Sequence, residues 1–205
     1  MNIPGFAFVV LAVLTALPSP SQAADQRNAD WPCVQPKVPQ MSPAAMWDGP
    51  SIADIGNSWQ DDPKIKDLVS RLAARRTPLD LAEKAIADFV TGTAAEKQDK
   101  AKKLFVGLFD TLDQERGEVM SGLERVARKE KELADKIRSD VGTLHQLQDK
   151  PGGDETKITA LASQVEWSTR IFEDRRKTIR YVCEVPTTIE QRTFALARAI
   201  RQTLD

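Results

Sequence analysis

Residues 133–165 of the chain read LADKIRSDVGTLHQLQDKPGGDETKITALASQV. At the centre of this stretch, Lys150-Pro151-Gly152-Gly153 stops a helix and reverses the chain. Steps of three and four alternate from Val119 to Ile137 before the turn, with Glu130 in the series, and from Ile158 to Val182 after it, which is the seven-residue repeat of a coiled coil. We therefore predict two long helices joined by a tight turn, that is, an antiparallel coiled-coil hairpin.

The helices of this hairpin extend far beyond the turn. No proline interrupts residues 94–148, and the returning helix is predicted over about 154–186. Folding the chain about the turn brings Glu130 within one turn of Arg175, so we expect a partly buried ion pair that fixes the register at some cost in stability. Residues 118–184 are predicted to project from the rest of the molecule for about 45 Å at the rise of an α-helix.

Three shorter helices are expected to pack with the start of the long one. The first is predicted over residues 63–75, and the second begins after Thr77, whose hydroxyl is expected to cap it. The last is predicted to begin at Thr187 or Thr188, because each is followed three residues later by a Glu or Gln, as in a capping box. Residues 64–205 are therefore predicted to be a single all-helical domain, a helical bundle base that carries the hairpin.

Two glycines, Gly117 and Gly122, lie where the hairpin joins this base. A glycine inside a helix weakens it by about 1 kcal/mol relative to alanine. We therefore expect either a hinge or a close packing of small residues at this junction.

Residues 24–63 form a proline-rich arm ahead of the helices. Six prolines within it exclude a long helix, so we predict an extended segment. Three of the four tryptophans, Trp31, Trp47 and Trp59, also lie in the arm. Two interpretations remain open: the rings cap the helical core, or they form an exposed aromatic surface for a sugar or a partner.

Residues 1–23 have the pattern of a secretory signal peptide, since an apolar run is followed by prolines and by a small-residue cleavage site at Ala23. The run is shorter than the roughly 20 apolar residues that span a bilayer, so no transmembrane anchor is expected after cleavage. In an oxidising compartment the two cysteines, Cys33 and Cys183, are expected to form a disulfide that staples the arm to the helices. Neither lies in a Cys-x-x-Cys motif, which favours this structural role over a redox-active or intermolecular pair. The chain has no N-glycosylation sequon, so we predict a periplasmic or secreted protein of a bacterium.

Residues that perform chemistry are scarce in the chain. Its 29 Lys and Arg balance 30 Asp and Glu, so no net positive field attracts nucleic acid. His145 is the only histidine, and the chain contains neither a phosphate-binding glycine loop nor a nucleophile motif. A metal site needs several converging ligands, for which Met41 and Met46 offer only a weak sulfur pair. We therefore expect no catalytic residue, no cofactor, no metal and no nucleic-acid partner.

A long hairpin with few candidate catalytic or metal-binding residues provides an extended surface that can reach another molecule. We expect an exported, non-enzymatic interaction protein, such as an adaptor, chaperone or accessory factor, that contacts another cell-envelope protein, with a second copy of the chain as a further candidate partner. The contact is predicted at the hairpin tip, on Leu144, His145, Gln148, Lys150 and Asp154. The alternative is a periplasmic ligand-binding or cell-wall-acting hydrolytic protein that uses the arm tryptophans beside Asp48, Asp54 and Asp61.

Overall fold

The computed structural model describes residues 30–205, so the predicted signal peptide, residues 1–23, lies outside the described residues. This part of the chain is helical and contains no strand, which confirms the all-α class. Its helices are α1 (Pro43–Met46), α2 (Pro63–Ala73), α3 (Leu79–Phe89), α4 (Ala94–Gln148), α5 (Glu155–Val182) and α6 (Val185–Gln202), with a 3-10 turn at Ser58–Asp61. No helix in residues 30–205 combines the length and the apolar character needed to cross a bilayer.

The 55-residue helix α4 is the longest element of the described structure. Thr93 and Glu96 form a capping box at its start: the Thr93 N–H donates to Glu96 Oε2 at 2.8 Å, and Thr93 Oγ1 accepts from the Glu96 N–H at 3.4 Å. The hydrogen bond from the Thr93 backbone lowers the pKa of Glu96. The T-x-x-E spacing of these two residues is the sequence pattern of a helix start.

Two predicted helix caps are wrong. The Thr77 hydroxyl does not cap α3, because it donates to the carbonyl oxygen of Arg71 at 2.7 Å and so closes the end of α2. The last helix begins at Val185, earlier than the predicted Thr187 or Thr188, and holds a proline in its first turn. A proline is tolerated there because the first N–H groups of a helix have no partner within the helix. The Thr188 hydroxyl instead donates to Glu184 O at 3.0 Å.

The core lies around the first half of α4. Helices α2 and α6 pack directly against α4, and α3 packs against α6. The fully buried side chains come from all of these helices and include Ile65, Leu72, Ile86, Leu104, Phe105, Leu112, Ile189, Leu196 and Ile200. At about 1.5–3 kcal/mol for each buried large aliphatic or aromatic side chain, this cluster supplies the main stabilisation of the fold.

Helix α5 returns beside the second half of α4. Gln164 Nε2 donates to Asp140 Oδ2 at 2.9 Å, and Arg175 Nη1 lies 3.2 Å from Glu130 Oε1. The two helices are therefore antiparallel, and the predicted ion pair is present. Burial ends at this pair, since no residue between 131 and 182 is buried.

The described part of the arm, residues 30–62, runs along α4 in the opposite direction. Asp30 pairs with Lys131 at 2.9 Å, whereas Asp54, further along the arm, pairs with Lys102 at 2.7 Å. The Cys33–Cys183 disulfide is confirmed and joins this segment to the short connection between α5 and α6. The arm thus lies over the region where the α4–α5 pair leaves the core.

Candidate functional site

The five predicted partner-binding residues lie together around the turn between α4 and α5, residues 144–154, which we call the tip. His145, Gln148, Lys150 and Asp154 are exposed, and Leu144 is half-buried. The turn is closed by a hydrogen bond from the Gly153 N–H to Lys150 O at 3.1 Å, and Gly152 has a φ of 73°. A positive φ of this size is where glycine is favoured, so the sequence signal for the turn has a direct structural cause.

Asp154 has a local role at the tip. Its Oδ1 accepts hydrogen bonds from the Thr156 and Lys157 N–H groups at 3.1 and 3.2 Å, and so caps α5. The backbone and side-chain hydrogen bonds of Lys157 lower the pKa of this carboxyl group. Within residues 144–154 no large apolar side chain is exposed and Leu144 is half-buried, so the accessible surface of the tip is mainly polar.

Two of the arm tryptophans, Trp47 and Trp59, pack against the core. Trp47 stacks on Phe105 with ring centroids 4.6 Å apart, and its indole N–H donates to Pro50 O at 2.8 Å. Trp59 packs against the core and donates to Asp110 Oδ2 at 3.1 Å. Burial raises the pKa of Asp110, although the hydrogen bond from Trp59 lowers it. For these two rings the geometry agrees with the core-capping interpretation.

Two of the three acids considered for a ligand-binding or hydrolytic site lie beside different basic residues, and the third, Asp61, is exposed at the end of the 3-10 turn. Asp54 is held by Lys102 at 2.7 Å, and Asp48 Oδ1 lies 3.9 Å from Arg201 Nε. In residues 30–205 no group of three or more His, Cys, Asp or Glu side chains is placed to hold a metal ion.

The strongest candidate surfaces lie where the α4–α5 pair leaves the core, a region we call the root. Two grooves flank the helix pair there. One, of about 480 Å³, lies beneath the arm and is lined by Trp31, Phe172 and the disulfide. The other, of about 780 Å³, we call the root groove. Its floor is Val119, Gly122, Val126, Ile179 and Val182, and its charged side chains are Arg125, Arg128, Lys129, Glu130, Glu132 and Arg175.

Glu130 lies in the wall between the two grooves and lines both. Its side chain is 8% exposed, and only Oε1 meets Arg175. Oε2 is buried and has no hydrogen-bond partner among residues 30–205. The seven-residue spacing places Glu130 between the two helices but does not predict the open space on either side of it.

The root is fixed to the arm by a buried arginine. Arg116 Nε lies 2.7 Å from Glu190 Oε1, and Arg116 Nη2 donates to the carbonyl oxygen of Val38 at 2.7 Å. Because this side chain is only 3% exposed, the two bonds form away from water and hold α4, α6 and the arm together.

The glycines of the root are not closely packed. A Cβ at Gly117 would meet no atom within 4 Å, and one at Gly122 would meet only the end of the Arg125 side chain at 3.7 Å. Close packing, one of the two predicted explanations for these residues, is therefore wrong. In contrast, a Cβ at Gly107 would lie 2.8 Å from the Trp59 ring, so there the missing side chain makes room for the arm.

Comparisons of the chain with family models, with curated proteins and with solved structures give no significant match.

Proposed function

We propose that this chain is an exported, non-enzymatic interaction protein that contacts another cell-envelope protein through the α4–α5 pair. The observation that carries the proposal is the change in burial along α4. Its first half forms the core, whereas the 52 residues from 131 to 182 contain no buried side chain. A segment of this size that adds so little to the core is better explained by contacts with another molecule.

We infer further that the α4–α5 pair is a coiled-coil hairpin. Its half-buried apolar residues recur mostly at steps of three or four residues, as expected for such a seam. They include Leu133, Ile137, Val141, Leu144, Ile158, Leu161, Val165 and Phe172. A seam of this kind keeps two helices together without a larger core, so the pair can reach away from the base.

Export is supported by the signal-peptide pattern together with the disulfide. A bond between Cys33 and Cys183 persists in an oxidising compartment such as the periplasm. We propose that the arm then acts as a strap, which holds the root of the hairpin on the base.

The proposal is tested by site-specific photo-crosslinking in the producing cell. Probes at His145, Gln148 and Lys157 report on the tip, and probes at Lys97 and Arg201 on the base serve as controls. We expect one partner, captured from the tip positions and not from the base. No capture from any hairpin position, with the protein folded and abundant, would contradict the proposal.

A shortened hairpin provides a second test. Deleting residues 132–138 and 164–170 removes one seven-residue repeat from each helix and retains the turn and the three tip probe positions. The hairpin then loses about 10 Å of reach, and we expect the tip crosslinks to disappear while the circular dichroism per residue is unchanged. A shortened protein that still gives every crosslink would refute a requirement for reach.

A further inference from the structure

We propose that the root groove binds an acidic amphipathic helix, about four turns long, from another protein. The inference rests on the proposed function and deepens it, because it names a second contact surface on the α4–α5 pair and the chemistry of its partner. The root groove lies on the open side of this pair, between the core and the free part of the hairpin.

The floor of the groove is apolar and open. Val119, Ile179 and Val182 are half-buried there, and Val126 is 40% exposed. Apolar residues on a two-stranded seam are ordinarily covered by the partner helix, yet Val126 has no such cover. A third helix in this groove would cover Val126 and complete the packing between α4 and α5.

The shape of the groove favours a helix over an extended peptide. Its walls are two helices, whose backbone groups are already hydrogen-bonded, so no strand edge is present to pair with an extended segment. From Val119 to Glu132 the groove follows α4 for about 20 Å, which is the length of roughly 13 helical residues. Gly122 lies in the floor and has only the Arg125 side chain near it, so another helix can approach closely at this point.

The charges around the groove favour an acidic partner. Four basic and two acidic side chains line it, although the whole chain has a net charge of −1. Glu130 pairs with Arg175, and Arg128 pairs with Asp30. The lining charges outside these two pairs are Arg125, Lys129 and Glu132, so the accessible rim keeps a net positive charge. In a twofold dimer built on this groove, two basic rims would face each other, which disfavours a second copy as the occupant.

The first experiment is a binding titration of the disulfide-bonded protein with designed peptides. The probe is a fluorescein-labelled, lactam-stapled helix of 14 residues (about four turns), with leucines on one face and glutamates on both flanks. A matched peptide has lysines in place of the glutamates. We expect the acidic peptide to bind at least about tenfold more tightly by fluorescence anisotropy, with a preference that shrinks as salt is raised.

Two protein variants locate the binding site. Gly122→Leu places a side chain in the groove floor, where the structure has room for it. We expect it to reduce the affinity for the acidic peptide by at least about tenfold. Gly117→Leu is the matched control, because it also lies in α4 with open space around it but does not line the groove. It should leave the affinity unchanged, and circular dichroism shows whether both variants remain folded.

Several outcomes would overturn the inference. Equal binding of the two peptides contradicts the acidic partner, and undiminished binding to a folded Gly122→Leu contradicts the groove. Light scattering tests whether a second copy of the chain occupies the groove instead. A dimer that is lost in Gly122→Leu would show that it does.

Crosslinking separates the failure of this inference from the failure of the proposed function. A partner captured from His145 but not from a probe at Val126 leaves the hairpin function standing and overturns the root groove. Support requires that the segment crosslinked to Val126 is acidic and amphipathic, and that Gly122→Leu removes this crosslink. No capture from either position overturns the proposed function, and the peptide titration then decides on the groove alone.

Discussion

Replacing Glu130 by leucine is expected to stabilise the protein, although the change removes an ion pair. The Glu130 side chain is only 8% exposed, and its Oε2 has no hydrogen-bond partner in the part of the chain that the structure describes. An unpaired buried acceptor of this kind costs about 1–3 kcal/mol. The partner, Arg175, is 53% exposed and can regain water when the carboxylate is lost, so the ion pair contributes at most about 1 kcal/mol.

Leucine also adds apolar burial at the same seam position. A buried leucine contributes about 1.5–3 kcal/mol, and the grooves on both sides of Glu130 give the branched side chain room to settle. After allowance for imperfect packing, we expect the free energy of unfolding to rise by about 1–3 kcal/mol. For a protein of this size, each kcal/mol corresponds to about 2–4 °C in melting temperature.

The assay is urea unfolding followed by circular dichroism, with the disulfide kept intact. Glu130→Gln keeps the shape of the side chain and removes its charge, so its free energy of unfolding should lie between those of the wild type and Glu130→Leu. Arg175→Met removes the one partner that the Glu130 carboxylate has within the described residues, and we expect it to destabilise the protein by about 1–3 kcal/mol. The reasoning is refuted if Glu130→Leu lowers the free energy of unfolding by more than about 1 kcal/mol, since the carboxylate would then make a favourable interaction that this structure does not contain.

Three further predictions concern the arm and the long helix. Gly107→Ala should destabilise by about 1–3 kcal/mol in thermal melts, because its Cβ would lie 2.8 Å from the Trp59 ring, whereas Gly117→Ala, with open space around it, should stabilise by up to about 1 kcal/mol. Replacing both Cys33 and Cys183 by serine should cost up to about 5 kcal/mol, as the chain-entropy model gives for a loop of 150 residues, and an unchanged urea midpoint would contradict the stapling role. Hydrogen bonds from Lys131 and then Arg128 lower the pKa of Asp30 below its ordinary value of 3.8, so its contribution is present above that pH and is lost as the pH falls through the lower, folded-state pKa. Asp30→Asn should therefore be less stable at neutral pH and lose less stability on acidification, and parallel pH profiles of the two proteins would count against the contact.

The hairpin turn and the long helix were predictable because their signals are local. Gly152 needs a positive φ, and the proline before it cannot continue the helix, so the reversal is encoded within four residues. The ion pair between Glu130 and Arg175 followed from the register that this turn imposes. Signals of this kind do not depend on the rest of the fold.

The errors arose where distant residues decide the local structure. The predicted capping box at the start of α6 required Glu190 or Gln191 to bond back to a threonine. Instead, Glu190 reaches across to Arg116, a residue 74 positions earlier in the chain, and the helix starts at Val185. The root groove could not be found from spacing alone, because the seven-residue repeat describes the face between two helices. Val126 is exposed because none of the described helices packs over it, and the spacing of apolar residues does not predict this.

Under the proposed function, the root is a better docking surface than the tip, because its elements are held together more firmly. At the root, the disulfide, the pair between Asp30 and Lys131 and the two bonds of Arg116 hold the arm, α4 and α6 in one arrangement. Beyond Glu130 the helices are joined by a half-buried seam and by the exposed hydrogen bond from Gln164 to Asp140, so the distal part of the pair can open at a smaller cost in free energy. A partner that binds at the root meets a surface that is already ordered and loses less conformational entropy on binding. Under the proposed function, contacts at the tip have to order the helices that carry them, so we expect the root to contribute affinity and the tip to contribute reach.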